Sequence, residues 1–546
     1  MQGIFKKDLY EHDESSNSVV AANLTRKFFP AMIRTNPLYE EQGIWMEGPY
    51  WQHIPPLFAY VPLPLFWIDG HVTIEMKRVA YDLVLLATGY VFILGVYLYD
   101  RKRLSLFAAT LASIFFVASA FSQNLVSGAY FGTSDIVLAF TIVCSFAALL
   151  WYLRNDREAR KSYSNKNLAW IGAIVSLPIL TKNVLGAIPA ATYLILLLWD
   201  HRRVNRKIFA AAGVFLGMLV LYYGALYLSS PAAFKAEILL PLAHTQPDFE
   251  GWGRPWYFFF TDYLPKEYFL SWTYPFLIGL LVGIFLLVQR KLEVKTARLL
   301  ALSGIWFVWN LAAISTVSSK VPNFAYQSFV FAIFFAIYSA AIAVLLLLPD
   351  LKSFCDSLLE KDFFKRFTAA AFLILLVLTT YSSSHVITKF RETRAAGYYY
   401  TTEHEKFYHF GEFAAQSGVT NKDLIIFNAT IDDCWFRYYT LFLTGAESRT
   451  LDEIYNIADV NQIKSKYQNV YFVINKTTAA PSVSDAYFKE DFGDYTVFKF
   501  KSENITPNFI ADLKNQILDP LNILVNQANR SCEWLMQSED LFHKYH

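Results

Sequence analysis

Charged residues are scarce in this chain: Asp, Glu, Lys and Arg make up 17% of 546 residues, and the formal net charge is only +2. So small an excess of positive charge gives no pointer to nucleic acid. Cysteine is scarcer still, with 4 in the whole sequence, too few for a disulfide framework. Cys144 falls in a long apolar run and Cys355 in a basic loop, so these two do not meet oxidant on one side of a membrane. Cys434 and Cys532 share the final segment, where they are either a pair or two buried free thiols. Internal repeats and low-complexity tracts are absent from the sequence. Apolar residues fill the chain instead. With 55% hydrophobic and 17% aromatic residues and a mean hydropathy of +0.29, the composition is that of a polytopic α-helical membrane protein.

Spans of roughly 17 to 23 residues are expected over residues 79–99, 104–121, 136–153, 208–228, 270–288, 299–317, 324–348 and 367–383. Two shorter runs, 168–181 and 184–199, are separated only by Lys182-Asn183 and read as a helical hairpin whose tip barely reaches the outer surface, giving about ten spans. The loops sort by charge. Those at 101–103, 154–166, 202–207, 290–298 and 352–366 hold roughly twenty Lys and Arg, against about five in the intervening short loops, which is the positive-inside pattern. The basic loops are therefore expected on the cytoplasmic side. The loops at 122–135, 229–269 and 318–324 are expected outside.

Residues 1–78 precede the first long span and by the same count lie outside, as a first extracytoplasmic loop with interfacial helices. Either a span upstream of Met1 carries them there, or the run 54–68 crosses the membrane. That run holds Pro55, Pro56, Pro62 and Pro64 and is short for a crossing, which favours an interfacial or re-entrant helix. Residues 79–384 make the transmembrane domain. In 385–546 charges and turn residues return. Apolar runs at 424–427, 470–474 and 495–500 read as strands, with helical patterns at 405–416, 435–444 and 459–467, an alternation that suggests an extracytoplasmic α/β domain.

Several polar groups stand out on the expected outer face. Asp13-Glu14 precedes a helical pattern, where an acidic pair also serves as an N-terminal cap. Tyr50-Trp51-Gln52-His53-Ile54-Pro55-Pro56-Leu57 leads into the proline-rich run, and Trp and Tyr also anchor at interfaces. Asp135 lies at the mouth of a span, where an ionisable residue is a site candidate. Lys182 sits at the hairpin tip, His244 and Arg254 share the loop that contains Gly253-Arg254-Pro255-Trp256-Tyr257, and Lys320 lies in Ser319-Lys320-Val321-Pro322. A single lysine at a span end usually snorkels to headgroups. Together, though, acids, histidines and cations on one face suit group transfer from a lipid phosphate: a carboxylate takes a proton from an acceptor hydroxyl, and Lys and Arg hold the departing phosphate.

In this order the motifs resemble those of the polyprenyl-phosphate-sugar-dependent glycosyltransferases of the GT-C fold, in the superfamily of protein O-mannosyltransferase and lipid A aminoarabinose transferase. The resemblance runs from Asp13 to about Ser339. Family members open the first extracytoplasmic loop with an Asp-Glu pair and close it with a Tyr-aromatic-His-Lys-Pro-Pro-Leu stretch. They go on to an Asp at a span mouth, a Leu-Thr-Lys-Gly hairpin tip, a His before Gly-Arg-Pro-Trp-Tyr, and Ser-Lys-Leu-Pro. The resemblance implies Asp13 as general base, Asp135 in orienting donor or acceptor, and Glu14, His53, Lys182, Arg254 and Lys320 in substrate binding. It implies a polyprenyl-phosphate sugar as donor in the bilayer, an acceptor on the outer face, and a bacterial inner-membrane location. In some members a divalent metal joins the first loop to the later histidine, and the matching pair is His53 and His244.

Two departures matter. Ile54 stands where relatives carry a lysine, and Ser16 where an arginine often follows the acidic pair; both are phosphate-binding cations in relatives. An inactive relative is therefore one alternative. A transporter or lipid-binding protein is another, but charges in the middles of the spans are few, and Asp82, the exception, lies near a span end.

Overall fold

This computed structural model describes residues 57–70, 72–99, 134–181, 183–229, 402–427, 443–451, 457–475, 488–492 and 495–517, with part of 18–25 and scattered single positions. The chain divides into two compact units. One is Gln52–Val61 with Arg78–Tyr398, and the other is Met1–Trp51, Pro62–Lys77 and Tyr399–His546.

Helices α1 (Leu57–Tyr60) and α2 (Leu63–Asp69) lie in the proline-rich run. Two short helices replace the single one expected there. The break falls at Pro62, whose ring fixes φ and whose nitrogen lacks a proton, so α2 starts afresh with proline in its first turn. Gly70, at φ +76°, ends α2 by donating its N–H to Phe66 O.

Three described helices are long and apolar enough to cross a membrane: Ile74–Tyr99, Ile136–Leu153 and Arg206–Leu228. They belong to α3 (Ile74–Tyr99), α4 (Ser134–Leu153) and α8 (Arg206–Ser229), and agree with the spans expected at 79–99, 136–153 and 208–228. Between α4 and α8 come α5 (Arg157–Lys161), α6 (Asn165–Ser176), a 3-10 turn at Leu177–Leu180, and α7 (Asn183–His201). The expected hairpin is thus α6 and α7, joined at the 3-10 turn. The expected spans 104–121, 270–288, 299–317, 324–348 and 367–383 lie outside the described residues.

Close packing in this unit depends on missing side chains, as expected where apolar burial gives no advantage over lipid. A Cβ on Gly186 of α7 would stand 2.2 Å from the carbonyl oxygen of Pro178, so the first turn of α7 rests directly on the 3-10 turn. A Cβ on Gly95 would stand 2.8 Å from the Cβ of Ala147, bringing α3 onto α4. Of these three helices, α4 is the most buried and α8 the least. The polar residues of α4 satisfy themselves: Thr141 donates to Val137 O at 3.0 Å and Ser145 to Thr141 O at 2.8 Å, as apolar surroundings require.

The C-terminal residues form helix α9 (Thr402–Gln416), strands β1 (Asp423–Phe427) and β2 (Glu447–Thr450), helix α10 (Ile457–Lys466), strands β3 (Asn469–Asn475), β4 (Phe488–Phe492) and β5 (Tyr495–Lys501), and helix α11 (Pro507–Ile517). The sheet order is β2-β1-β3-β5-β4. Strands β2, β1 and β3 run parallel, and β5 is antiparallel to both β3 and β4. Every residue of β1 is buried, which follows from a core on each face. Leu424, Ile426, Val470, Phe472, Phe498 and Phe500 pack with Val460 and Ile463 of α10 and Ile510 and Leu513 of α11. On the opposite face Ile425, Phe427, Tyr471, Val473 and Val497 pack with Phe410 and Ala414 of α9.

The apolar runs at 424–427, 470–474 and 495–500 are β1, β3 and β5. Strands β2 and β4 escape an apolar-run reading because they are edge strands of polar sequence, Glu-Ser-Arg-Thr and Phe-Lys-Glu-Asp-Phe. The helix expected at 435–444 lies almost wholly outside the described residues.

Candidate functional site

Of the residues the sequence puts forward, Asp135 lies on a described element, as the second residue of α4. Asp13, Glu14, His53, Lys182, Arg254, Lys320 and the metal-ligand candidate His244 lie outside the described residues. Among the described residues no group of three or more His, Cys, Asp and Glu is placed to hold a metal ion.

The flanks of these residues are described. Behind Asp13-Glu14, residues Ser18, Val20, Ala21, Ala22 and Leu24 are helical and buried. The Lys77 ammonium donates to Ser18 Oγ at 2.8 Å, and both side chains are fully buried. Arg78 is fully buried as well. The stretch after His53 is held by Tyr81, whose hydroxyl donates to Phe58 O at 3.0 Å. Sequence reading passed over Lys77 and Arg78 because they look like ordinary flanks of a span. The available signal was their place in the first turns of α3, where the helix dipole disfavours cations.

The tip of the α6–α7 hairpin is fixed from both sides of Lys182. Thr181 donates its backbone N–H to Pro178 O at 3.0 Å, the same oxygen that Gly186 leaves room for. The Thr181 side chain is fully buried, and its hydroxyl has no hydrogen-bond partner. Elsewhere buried threonines bond back to a preceding turn, as Thr88 does to Val84 O and Thr192 to Ile188 O. The 3-10 turn denies Thr181 that route. A donor hydroxyl is therefore left just ahead of the N-terminus of a 19-residue helix.

At the other ends of these helices a closed ionic cluster surrounds Asp200. Arg160 donates to both carboxylate oxygens, at 2.6 and 2.7 Å, and the Tyr152 hydroxyl donates to one of them at 2.6 Å. Arg157 donates to the carbonyls of Trp199 and Asp200, capping the C-terminus of α7. The carboxylate is fully engaged, so this cluster joins helices and leaves no group poised to react.

These elements are those of a polytopic α-helical membrane protein. No family model matches the sequence, and no curated protein does. The fold is similar to that of ArnT from Cupriavidus metallidurans. Its crystal structure in the apo state aligns with a TM-score of 0.54 at 15% identity, over 92% of this chain and 95% of that one. The crystal structure of ArnT bound to undecaprenyl phosphate aligns with a TM-score of 0.55 at 14% identity, over 90% and 94%.

Proposed function

We propose that the chain is an inverting glycosyltransferase that moves a sugar from a polyprenyl-phosphate donor in the bilayer to an acceptor on the outer face of a bacterial inner membrane. The observation that carries this reading is the fold likeness, over nine-tenths of both chains, to ArnT, which one crystal structure holds with undecaprenyl phosphate. The order of motifs from Asp13-Glu14 to Lys320 supports it.

In this reading the reaction is one displacement. Asp13 takes the proton from an acceptor hydroxyl, the acceptor oxygen bonds to the anomeric carbon, and the bond from that carbon to the phosphate oxygen breaks with its electron pair going to the phosphate. Lys182, Arg254 and Lys320 neutralise the leaving phosphate, while Asp135, Glu14 and His53 orient the substrates. A divalent ion held by His53 and His244 needs further ligands; when bound, it supplies positive charge beside the phosphate. The active site and the α/β domain of 385–546 face the extracytoplasmic side, opposite the basic loops.

The test is transfer of radiolabelled sugar from a panel of polyprenyl-phosphate donors, in membranes carrying the native protein or Asp13→Asn. Label moves to an acceptor, or appears as free sugar, with the native protein alone. Equal turnover by Asp13→Asn removes Asp13 from the role of base. No turnover with any donor shifts the reading to a transporter or an inactive relative.

A further inference from the structure

We propose that one end of the helix bundle, where α4 and α7 finish and α6 and α8 begin, is a docking surface for acidic phospholipid headgroups, and that Arg202 is held there for its charge. The inference needs only that the apolar helices cross a membrane, so it stands whether or not the chain transfers sugar.

Contacts bring these segments to one place. Arg157 of α5 donates to the carbonyls of Trp199 and Asp200 at the end of α7. Lys207, at the start of α8, donates to Lys161 O, and Arg298 donates to Leu153 O and Asn155 O, where α4 ends. Residues 154–166, 200–207 and 298 hold ten Lys and Arg against three acids. All three acids are already engaged. Asp200 is closed by Arg160, Glu158 pairs with Lys161 at 2.6 Å, and Asp156 stands 3.6 Å from Arg298. Arg154, Lys166, Arg202, Arg203 and Arg206 are exposed, and none of them makes an ion pair or a side-chain hydrogen bond among the described residues. Their positive charge is a surplus at this end of the bundle.

Depth decides what meets that charge. Arg206 opens the apolar span Arg206–Leu228, and Arg154 directly follows the span Ile136–Leu153, so these cations stand where the hydrocarbon ends. Trp199, three residues before Arg202, is 74% exposed, and Trp170 of α6 is 64% exposed; exposed indoles at such a level sit among headgroups. Snorkelling to any phosphate accounts for a single cation at a span end. It does not account for five at one end with no acid to spare, a surplus that a headgroup of net negative charge neutralises and a zwitterionic one does not.

Arg202 carries the more specific observation. It follows the last residue of α7, donates its backbone N–H to Leu198 O at 2.7 Å, and has φ +56°. The other described residues with positive φ are glycines. A left-handed backbone strains arginine but not glycine, and glycine is the residue that ends a helix this way most readily. Helix termination therefore does not explain the guanidinium, which is present at a cost in stability.

The test offers full-length, detergent-solubilised protein equimolar phosphatidylglycerol and phosphatidylcholine of the same acyl chains, with bound lipid counted by native mass spectrometry. The native protein retains phosphatidylglycerol in preference, by about tenfold or more. Arg202→Gly lowers that preference about fivefold while the thermal midpoint stays level or rises, a combination that a merely structural role does not give. Arg202→Lys keeps the preference, and Arg203→Gln lowers it as Arg202→Gly does. Lys422→Gln, at an exposed position of the α/β domain, leaves it unchanged. Glycerol phosphate, which has the headgroup chemistry without acyl chains, does not displace the lipid at equal concentration. Equal retention of the two lipids by the native protein overturns the proposal and assigns the surplus charge to a soluble acidic partner. An unchanged preference in both Arg202→Gly and Arg203→Gln, an equal loss in Lys422→Gln, or displacement by glycerol phosphate overturns it as well.

Discussion

Arg160 and Asp200 meet as a two-point ion pair, with Nε on Oδ2 at 2.7 Å and Nη2 on Oδ1 at 2.6 Å, both side chains almost wholly out of water. The pair ties α5 to the end of α7, and Tyr152 closes it from α4. Breaking a buried pair from one side leaves an uncompensated charge, at a cost of about 3–5 kcal/mol. Asp200→Asn should therefore lower the thermal midpoint of the detergent-solubilised protein sharply. The double variant Arg160→Met/Asp200→Leu should lower it less, because no charge is stranded. Equal losses in the two would show that the pair holds its helices through shape alone.

Gly186 and Gly213 make a matched comparison. A methyl group on Gly186 meets the Pro178 carbonyl at 2.2 Å, whereas on Gly213 it meets nothing within 4 Å. Gly186→Ala should separate the first turn of α7 from the 3-10 turn, costing about 1–3 kcal/mol or more. Gly213→Ala should be neutral, or stabilise α8 by up to about 1 kcal/mol. Folded yield and thermal midpoint compare the two directly, and a tolerated Gly186→Ala would contradict the hairpin packing.

The unpartnered Thr181 hydroxyl gives a prediction of opposite sign to the usual core substitution. Thr181→Val keeps the shape and removes a buried donor without a partner, so the thermal midpoint should stay level or rise, by about 1 kcal/mol equivalent. Thr181→Ala leaves a void and should lower it. A clear loss of stability in Thr181→Val would mean that the hydroxyl is bonded in the folded protein.

In the α/β domain, the Tyr467 hydroxyl bonds Glu447, which also accepts from Lys466 at 2.8 Å. Burial first, and the Glu447 carboxylate second, push the Tyr467 phenol above the ordinary tyrosine range. A raised value means that the folded state holds the proton more tightly. The stability it contributes is complete below about pH 10, the ordinary value, and is lost as the pH rises from there through the folded value. Proteolysis within residues 457–475, followed by mass spectrometry in the full-length protein, should accelerate above about pH 10. Tyr467→Phe should flatten that rise, and an unchanged alkaline limb would assign it to another group.

Apolar runs and loop charge made the spans at 79–99, 136–153 and 208–228 and the strands β1, β3 and β5 legible, because burial on both sides leaves a continuous apolar stretch. Strands β2 and β4 were not legible, since an edge strand takes its partner from one neighbour and keeps polar side chains. Of the proposed site residues Asp135 alone falls on a described element. The burial of Lys77 and Thr181 was not legible, because one looks like a span flank and the other like any helix threonine.

Composition and periodicity by themselves determined that this chain crosses a membrane repeatedly and ends in an alternating α/β segment, since both follow from how far apolar residues run before a polar one interrupts. Only the tertiary structure decided that Lys77 meets Ser18 across 59 positions of sequence, that Arg160 closes on Asp200, and that Gly186 rests on Pro178. These contacts depend on packing distances between elements, and local sequence carries no information about which distant groups will share a buried volume too small for water.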